Sequence, residues 1–542
     1  MNNEKEKPEL ISTGSGFSVY YKNKFLYSRH SPQKTVLNLI EQTTVPPETL
    51  VLCISPVLGY GIPELIKKLP ESAFAAAIEY DTVLMDFSVK NSDISVLKTN
   101  NFFYISTGSI NLFFKKLEEA ADGKNFKKVI RINFSAGAAL YEDFYKSLET
   151  FASEYISRFW INKLTLIQFG RNYARNIFKN YSAILKNKRG IAALKLHSIT
   201  KPILVAGAGP SLDGSVKFMK ENKSSLFILA VDAAAARLYS KIKPDAVILL
   251  ESQYWIQKAF IGMAGSGVPV IADLTAYPQA VQIPGGIRSF FFTEYVGNPF
   301  FTCLAEKKIL PPRLDPMGSV GLSAIKIAEM LAVPGTPIFH TGLDFSWGCG
   351  YTHAKMSCQV RELFFSSSRL KSLYNPAAIF AERIEAAAGK NGEKVYTSPN
   401  LKSYAELYKR TFAGNNRFFD IGTCGFLIHS NTIDENAAKK IIRLTSASCD
   451  RSDDCVFYED IPDDYFLRLS VFLQTEKEKL ITLKNIFTSK TEVTDAQTET
   501  LLRQTAYLYL HFADFSEQNL LNQNFLNRIR IEIEYFLKIL QA

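Results

Sequence analysis

The sequence predicts an α/β protein with a central Rossmann-like doubly wound sheet, an N-terminal α/β (Rossmann-like) domain and a C-terminal helical bundle. Three observations predict it. Short apolar segments alternate with helical ones, glycine turns follow two of these segments, and the C-terminal part has almost no strand pattern. The chain has 542 residues, which at roughly 150 residues per domain predicts about three to four domains.

An N-terminal α/β domain is expected over residues 1–195. Its strand candidates include TLVLCISP, AFAAAIEY and FFYIST, with IPELIKKL as a helix between the first two. Such alternation is typical of a parallel sheet. The stretch from FASEYIS to YSAILK has apolar residues at helical spacing, which predicts long connecting helices at the end of this domain.

A glycine turn in this domain, Gly59-Tyr60-Gly61, follows the first strand, and Glu79 ends the next one. An acidic residue about twenty positions after a glycine turn binds a ribose in Rossmann-type sites. A lone G-x-G is a weak signal, however, so we favour a structural Rossmann domain over a working cofactor site.

A central domain, expected over residues 196–445, carries the densest pattern. KPILVAGAGPSLDGSVKFM predicts strand, turn and helix, and LFILAVDAAAARLYSKIKPDAVILLES predicts strand, helix and strand. VPVIADL, RSFFFTE and TPIFHTGLDFSW predict further strands, with SAIKIAEMLA as a crossover helix. Repeated β-α-β units with continuously apolar strands predict a doubly wound sheet.

A C-terminal helical domain is expected over residues 446–542. Its helix candidates are YFLRLSVFLQTEKEKLITLKNIF, ETLLRQTAYLYLHFADF and NFLNRIRIEIEYFLKILQA. Their apolar residues recur at helical spacing, which predicts a small bundle that serves stability or docking of a substrate protein.

The strongest local signal is the turn Gly207-Ala208-Gly209-Pro210-Ser211-Leu212-Asp213 after the strand ILVA. Glycines at the end of a strand let the backbone approach a ligand, and free N–H groups at a helix start favour phosphate or carboxylate. The turn departs from the dinucleotide pattern G-x-G-x-x-G because its third glycine is displaced to Gly214. The alternative is a plain βα turn with Ser211 as N-cap.

Polar residues end the next two strands as well. Asp232 follows one strand, and Glu251 and Gln253 follow the next. The carboxyl ends of parallel strands face the same crevice, where the ribose or base of a nucleotide would lie.

A second constellation begins at Asp344, at the end of an apolar strand, and continues into a glycine-rich loop with His353 between Tyr351 and Lys355. A histidine titrates near neutrality, so one placed over a crevice can act as a general base. The alternative is an ordinary surface histidine. His340, inside the strand, is expected to be a buried histidine with its polar atoms satisfied.

Composition excludes several classes of protein. The net charge of +10 is spread along the chain without a basic block, so no nucleic-acid arm is expected. The N-terminus mixes acidic and basic residues, and no run approaches the roughly 18 apolar residues of a membrane span. The seven cysteines are scattered without a C-x-x-C pair, which favours reduced thiols in a cytoplasmic protein without membrane insertion.

The order of motifs resembles that of motility-associated-factor (Maf) proteins, bacterial flagellin glycosyltransferases related to the archaeal 6-hydroxymethylpterin pyrophosphokinase (MptE-like) group. The motifs are GAGPSLD, AVDAAAARL, KPDAVILLESQ, IADLTAYP, MGSVGLSAIKIAEML, TGLDFSWGCGYTHA and GEKVYTSPNLKSYAELY. They span residues 200–430 densely. The flanks, including the helix around Arg171, match more loosely. GPSL with the GLDF strand end also looks like bacterial CMP-sialic-acid sialyltransferases.

The resemblance implies transfer of a nonulosonic acid of the pseudaminic or legionaminic type from its CMP-activated form to Ser or Thr of flagellin. The expected catalytic residues are His353, Tyr351, Lys355 and Asp344, with His353 taking the proton of the acceptor hydroxyl. The expected nucleotide-binding residues are Gly207, Gly209, Pro210, Ser211, Leu212, Asp232, Glu251, Gln253, Asp273, Gly318, Ser319, Gly342 and Tyr396. Of these, Tyr396 would help Tyr351 or Lys355 stabilise the departing phosphate.

Two alternatives remain open at this stage. Asp232 stands where the sialyltransferase pattern has asparagine, and a carboxylate near phosphate calls for a cation, so a divalent metal such as Mg²⁺ stays open without being predicted. With Mg²⁺ and ATP, carboxylates such as Asp273 would instead serve a pyrophosphokinase acting on a pterin alcohol. The other alternative is a non-catalytic flagellin-binding protein.

Overall fold

The structure is a computed structural model of the chain. It describes residues 7–94, 99–121, 124–295, 298–348, 351–355, 357–371, 383–412, 414–428, 431–448, 456–488, 495–515 and 520–541. The predicted α/β class is confirmed. The chain divides into two compact units, unit 1 over Met1–Leu164 and unit 2 over Thr165–Ala542. The finer boundaries at residues 195 and 445 stay predictions.

Unit 1 contains a parallel sheet in the order β6-β5-β4-β7 and an antiparallel meander β1-β2-β3. Its strands are β1 (Glu9–Thr13), β2 (Gly16–Tyr21), β3 (Lys24–Phe25), β4 (Thr49–Ile54), β5 (Phe74–Glu79), β6 (Phe102–Ser106) and β7 (Lys128–Asn133). Its helices are α1 (Pro32–Gln42), α2 (Ile62–Lys68), α3 (Thr82–Asn91) and α4 (Ile110–Ala121), with a 3-10 turn at Ala136–Leu140.

The core of unit 1 is built on both faces of this parallel sheet. Every residue of β4 and β5 is buried. Alternate residues of these strands enter two separate apolar clusters, one containing Val51 and the other Leu52. A parallel strand buried on both faces is continuously apolar, which explains why TLVLCI and FAAAIE were recognisable in the sequence.

A single helix of 45 residues, α5 (Glu142–Lys186), follows β7. The long helical pattern predicted for this stretch is therefore correct. Its first part belongs to unit 1, where Tyr145 and Leu148 are buried. Its last part belongs to unit 2, where Ile177 and Phe178 are buried.

Unit 2 contains the larger sheet. Its strands are β8 (Ala193–Leu194), β9 (Ile203–Ala206), β10 (Phe227–Val231), β11 (Ala246–Leu249), β12 (Val270–Asp273), β13 (Arg288–Thr293), β14 (Arg313–Leu314), β15 (Ile338–Thr341), β16 (Glu385–Ala388), β17 (Lys394–Thr397), β18 (Phe418–Asp420), β19 (Asn431–Thr432) and β20 (Tyr458–Glu459). Its helices after α5 are α6 (Leu212–Glu221), α7 (Asp232–Tyr239), α8 (Pro278–Gln282), α9 (Pro299–Glu306), α10 (Val320–Leu331), α11 (Cys358–Ser366), α12 (Pro399–Phe412), α13 (Glu435–Ser448), α14 (Asp463–Phe487), α15 (Asp495–Gln504) and α16 (Gln523–Gln541). Short 3-10 segments lie at Lys188–Gly190, Lys223–Ser225, Tyr254–Phe260 and Ala506–Leu508.

The strand order of this sheet is β14-β13-β12-β11-β10-β9-β15-β18-β19, and its paired strands are parallel. From β9 to β14 the chain adds strands on one side of β9. It then returns through α10 to place β15 on the other side. The order therefore reverses between β9 and β15, and ligands of open α/β sheets bind at such a switch point, outside the carboxyl ends of the strands.

The C-terminal helices share the core of unit 2. Phe178 of α5 stacks on Phe472 of α14 at 6.1 Å between ring centroids, and it meets Tyr507 and Phe536 edge-on. The predicted helix ETLLRQTAYLYLHFADF ends early, at Gln504. The Thr505 hydroxyl donates to the carbonyl of Leu501 at 2.8 Å, a side-chain bond that competes with regular helix continuation.

Across the described residues, no helix combines the length and apolar character that crossing a membrane would require.

Candidate functional site

The ends of β9 and β15 approach each other closely at the switch point. Gly207 N–H donates to Thr341 O and Gly209 N–H donates to Gly342 O, both at 2.8 Å. A Cβ on Gly207 would collide with the carbonyl of Gly342, and Gly342 has a left-handed backbone with a φ of +70°. Glycine is therefore required here for the contact between two neighbouring strand ends.

Asp344 joins the end of β15 to the glycine turn. Its Oδ2 accepts from the backbone N–H of Ser211 at 2.8 Å, and its Oδ1 accepts from the Ser211 hydroxyl. That hydroxyl also accepts from the N–H of Gly342 at 2.8 Å. Burial raises the pKa of Asp344 to about 6, against the opposing effect of the bonds from Ser211. Ser211 precedes α6, as predicted, but its hydroxyl bonds Asp344 instead of capping the helix.

The glycine turn therefore uses its backbone donors within the protein. The N–H groups of Gly207, Gly209 and Ser211 donate to Thr341, Gly342 and Asp344, which are residues of the β15 strand end. The outer surface of the turn is accessible, because Ala208 and Pro210 are half-exposed there. The sequence pattern could not reveal this because Asp344 lies more than a hundred residues away from the turn.

The histidine loop is fastened to the same turn. Ala354 N–H donates to the carbonyl of Ala208 at 2.8 Å, and Lys355 N–H donates to Asp213 Oδ2 at 2.7 Å. Asp213 is held in turn by Arg237 at 2.9 Å. His353 is half-buried, and its Nδ1 lies 2.9 Å from the Thr352 hydroxyl.

Burial lowers the pKa of His353 below the usual value of a histidine. The imidazole is therefore neutral at physiological pH, the form that can accept a proton. The sequence-predicted base and the sequence-predicted glycine turn are adjacent in the structure because Ala354 and Ala208 share a backbone hydrogen bond.

The predicted catalytic residues Tyr351 and Lys355 lie on this loop, and Tyr396, predicted to bind the nucleotide, lies on β17. Tyr351 is half-buried and Lys355 is exposed. Tyr396 pairs by its backbone with Trp347, with N–H···O distances of 2.8 and 2.9 Å, which brings β17 to the segment that follows Asp344.

Asp232 lies at the end of β10, one strand away from the glycine turn, and is buried. Burial raises its pKa to about 7, and the charge of Glu251 at the end of β11 adds to the rise. Its Oδ1 accepts from Ala233 N–H at 2.7 Å. Glu251 and Gln253 are half-buried, and Glu251 Oε1 accepts from Gln253 N–H at 3.0 Å.

Three other predicted nucleotide-binding residues, Asp273, Gly318 and Ser319, have structural contacts or positions within the fold. Asp273 accepts from the N–H and hydroxyl of Thr275 at 2.7 and 2.6 Å, and from those of Thr293 at 2.9 and 2.6 Å. The two bonds from Thr293 connect the ends of β12 and β13, and the two from Thr275 hold the loop that follows β12. Gly318, with a φ of +67°, lies against Tyr404, and Ser319 occupies the N-cap of α10.

The sequence did not indicate a buried ion pair at the end of β18, the strand beside β15. Lys390 Nζ is 2.6 Å from Asp420 Oδ2, and its amine also donates to the carbonyl of Gly422 at 3.2 Å. The charge of Lys390 contributes to lowering the pKa of Asp344 against the dominant effect of burial. His340 is buried as predicted and its Nε2 lies 2.8 Å from the Tyr408 hydroxyl. Its Nδ1 has no hydrogen-bond partner among the described residues, so the prediction that its polar atoms are satisfied is wrong for this nitrogen.

Two asparagines of α5 also hold the strand-end loops, which motif spacing alone could not show. Asn176 Nδ2 donates to the carbonyls of Ser252 and Thr275, at 2.9 and 2.8 Å. One helical turn later, Asn180 Nδ2 donates to the carbonyls of Leu274 and Ala276 at 2.8 and 3.0 Å. The loops after β11 and β12 are thereby fixed in place.

The glycine turn of unit 1 is packed within that unit. A Cβ on Gly61 would press on Val36, and the Tyr60 hydroxyl donates to the carbonyl of Phe17 at 3.0 Å. Glu79 is fully buried and accepts from the Ser55 and Tyr145 hydroxyls at 2.7 and 3.1 Å. Burial raises the pKa of Glu79 to about 7. These contacts favour the structural interpretation of this turn.

Within the described part of the chain, no three or more His, Cys, Asp or Glu side chains are grouped so that they could hold a metal ion.

Comparison with known proteins places these features in a family. Residues 172–349, from α5 to the loop after β15, match the family model described as "6-hydroxymethylpterin diphosphokinase MptE-like". An uncharacterized protein of Treponema pallidum (strain Nichols) is 38% identical over 545 aligned positions, covering 98% of this chain and 95% of that protein.

A solved structure also has this fold. The MAf glycosyltransferase from Magnetospirillum magneticum AMB-1 matches with a TM-score of 0.55 at 15% identity, covering 99% of this chain and 92% of that one. The family model confirms the predicted relationship to the MptE-like group, and the chain shares its fold with the Maf glycosyltransferase. The predicted likeness to sialyltransferases stays a prediction.

Proposed function

The chain belongs to the same family as the Treponema pallidum protein and carries the MptE-like domain. Because it also shares its fold with a glycosyltransferase, we propose that it is a glycosyltransferase itself. The observation that carries the proposal is the contact of three features at the switch point: the glycine turn, Asp344 and the loop that carries His353. The fold shared with a Maf glycosyltransferase supports the same reaction class.

The donor we propose is a CMP-activated nonulosonic acid, and the acceptor is a Ser or Thr hydroxyl of flagellin, modified in the cytoplasm. The phosphate of CMP lies against the outer surface of the turn from Gly207 to Ser211. The ribose and base extend along the strand ends that carry Asp232 and Gln253. This placement follows the order of the strands, since β10 lies beside β9 and β11 lies beside β10.

In the transfer step, the acceptor oxygen attacks the anomeric carbon of the sugar. A new C–O bond forms while the bond to the phosphate oxygen breaks, and CMP leaves with the bonding electrons. His353 Nε2 accepts the proton of the acceptor hydroxyl, for which its lowered pKa keeps it neutral. Tyr351, Lys355 and Tyr396 supply donors to the departing phosphate.

A second candidate function is transfer of a diphosphate group from ATP to a pterin alcohol, and the description of the matching family model favours it. That reaction calls for carboxylates that hold Mg²⁺ on a triphosphate. Asp232 and Glu251 could hold the metal in this candidate reaction, because their carboxylates interact across the strand ends. The carboxylate of Asp273 already accepts hydrogen bonds from Thr275 and Thr293. Tight binding of Mg-ATP without binding of CMP would favour this candidate.

The deciding experiment incubates the protein with flagellin and the CMP-sugar and weighs intact flagellin by mass spectrometry. We expect a mass gain of one nonulosonic acid residue or a multiple of it, absent when the donor is omitted. No mass gain with a competent acceptor would refute the proposal. Flagellin binding without affinity for any nucleotide would favour the non-catalytic alternative.

A further inference from the structure

Arg175 lies in the C-terminal part of α5, and its neighbour Asn176 holds it at the carboxyl ends of the strands. The Oδ1 of Asn176 accepts from Nε and Nη2 of Arg175, at 3.0 and 2.9 Å. The amide nitrogen of the same asparagine donates to Ser252 O and Thr275 O. The guanidinium is therefore fixed beside the loops that follow β11 and β12.

One side of this guanidinium has no partner in the described chain. Its Nη1 donates to none of the described residues, and none of their carboxylates forms an ion pair with it. Arg171, one helical turn earlier, differs because its Nε donates to Glu532 at 2.8 Å. Arg175 is half-exposed, so its remaining donors are available to a ligand.

The surroundings of Arg175 suit a flat polar group. The ring centroid of Tyr277 lies 5.9 Å from its Cζ, and Tyr277 and Gln253 are both half-exposed. Neighbouring strands are about 4.8 Å apart, so the end of β11 lies about 10 Å from the glycine turn after β9. A nucleoside monophosphate with its phosphate at that turn extends its base to this distance.

We infer that Arg175 recognises the base of the donor nucleotide as cytosine, an inference that rests on the proposed function. The side formed by Nη1 and Nη2 would donate two parallel hydrogen bonds, to O2 and N3 of cytosine. Arginine has only donors, arranged in a rigid fork, and cytosine presents two adjacent acceptors on its Watson–Crick edge. Uracil carries a hydrogen on N3 and offers the fork a single acceptor there.

The test compares titrations of the full-length protein with CMP and with UMP. The parent should prefer CMP by about 10- to 100-fold, the effect of one bidentate arginine–base pair. Arg175→Gln should lower CMP affinity by a similar factor and leave UMP affinity within about two-fold. Arg175→Lys keeps the charge without the fork and should also lose the preference.

The control is Arg189→Gln, which removes the same charge from an exposed arginine beyond the end of α5. It should leave the preference for CMP unchanged. A parent that prefers CMP, with both Arg175 variants keeping that preference, would overturn the role of Arg175 and leave the proposed function standing. A parent that binds CMP and UMP equally, or neither, would overturn the proposed donor and this inference together. Should Arg175→Gln fail to fold, Arg175→Lys decides by the same measurement.

Discussion

At the scale of single residues, His353 is the sharpest prediction. His353→Ala should reduce sugar transfer by about 10²- to 10⁴-fold, the usual contribution of a general base. CMP affinity should change little, because the proposed nucleotide site lies mainly against the glycine turn. His30→Ala, which removes an exposed histidine of unit 1, is the matched control. Transfer at a near-parental rate by His353→Ala would contradict the role of this histidine as the general base.

The pH dependence of transfer follows from the same side chain. Only the neutral imidazole accepts a proton, so the rate should fall as pH drops through the pKa of His353. Burial lowers that pKa, so the fall should occur at more acidic pH than for an exposed histidine. The pH–rate profile measures this directly. His353→Ala should retain a low rate without this acidic limb, and an unchanged limb in the variant would assign it to another group.

At the scale of elements, two glycines of one strand–turn–helix unit should respond oppositely to alanine. A Cβ on Gly209 would collide with the carboxylate of Asp344, which holds the turn to the end of β15. Gly209→Ala should therefore destabilise the protein by about 1–3 kcal/mol and weaken CMP binding. The glycine pattern predicts close approach of a ligand to this turn, whereas in the structure a Cβ on Gly209 would first displace Asp344.

Gly214 provides the contrasting variant. It lies inside α6, is exposed, and a Cβ there would touch only the Thr423 hydroxyl at 3.5 Å. Gly214→Ala should raise stability by about 0.4–1 kcal/mol because alanine favours the helix and restricts the unfolded chain. Chemical denaturation of both variants measures the difference. Equal destabilisation by the two would contradict the contact between Gly209 and Asp344.

At the scale of the whole molecule, the apolar cores of the two units are separate clusters. Calorimetry should therefore resolve two unfolding transitions. At a concentration of a hundred times its dissociation constant, CMP should raise the free energy of unfolding of unit 2 by about 2.7 kcal/mol. Only the transition of unit 2 should therefore move to a higher temperature. Leu52→Ala, in the core of unit 1, should lower the other transition. A single calorimetric transition that CMP moves to a higher temperature would show that the cores of the two units unfold together.

The C-terminal helices belong to the larger of these cores, because Phe472, Tyr507 and Phe536 surround Phe178 of α5. This packing supports the predicted role in stability. Docking of a substrate protein on these helices stays a prediction.

The sequence by itself determined the α/β class, most strands of the two parallel sheets and the strand ends at which chemistry is expected, but not β7, β14, β18 or β19. It could do so because buried parallel strands are continuously apolar and glycine turns are local patterns. Only the tertiary structure decided which strand ends meet. Asp344 accepts a hydrogen bond from the backbone of Ser211, in a turn far away in the chain. Asn176 of α5 holds the loops that carry Gln253 and Tyr277, and Lys390 pairs with Asp420 at the end of β18. Such contacts join residues distant in sequence, so no local spacing records them.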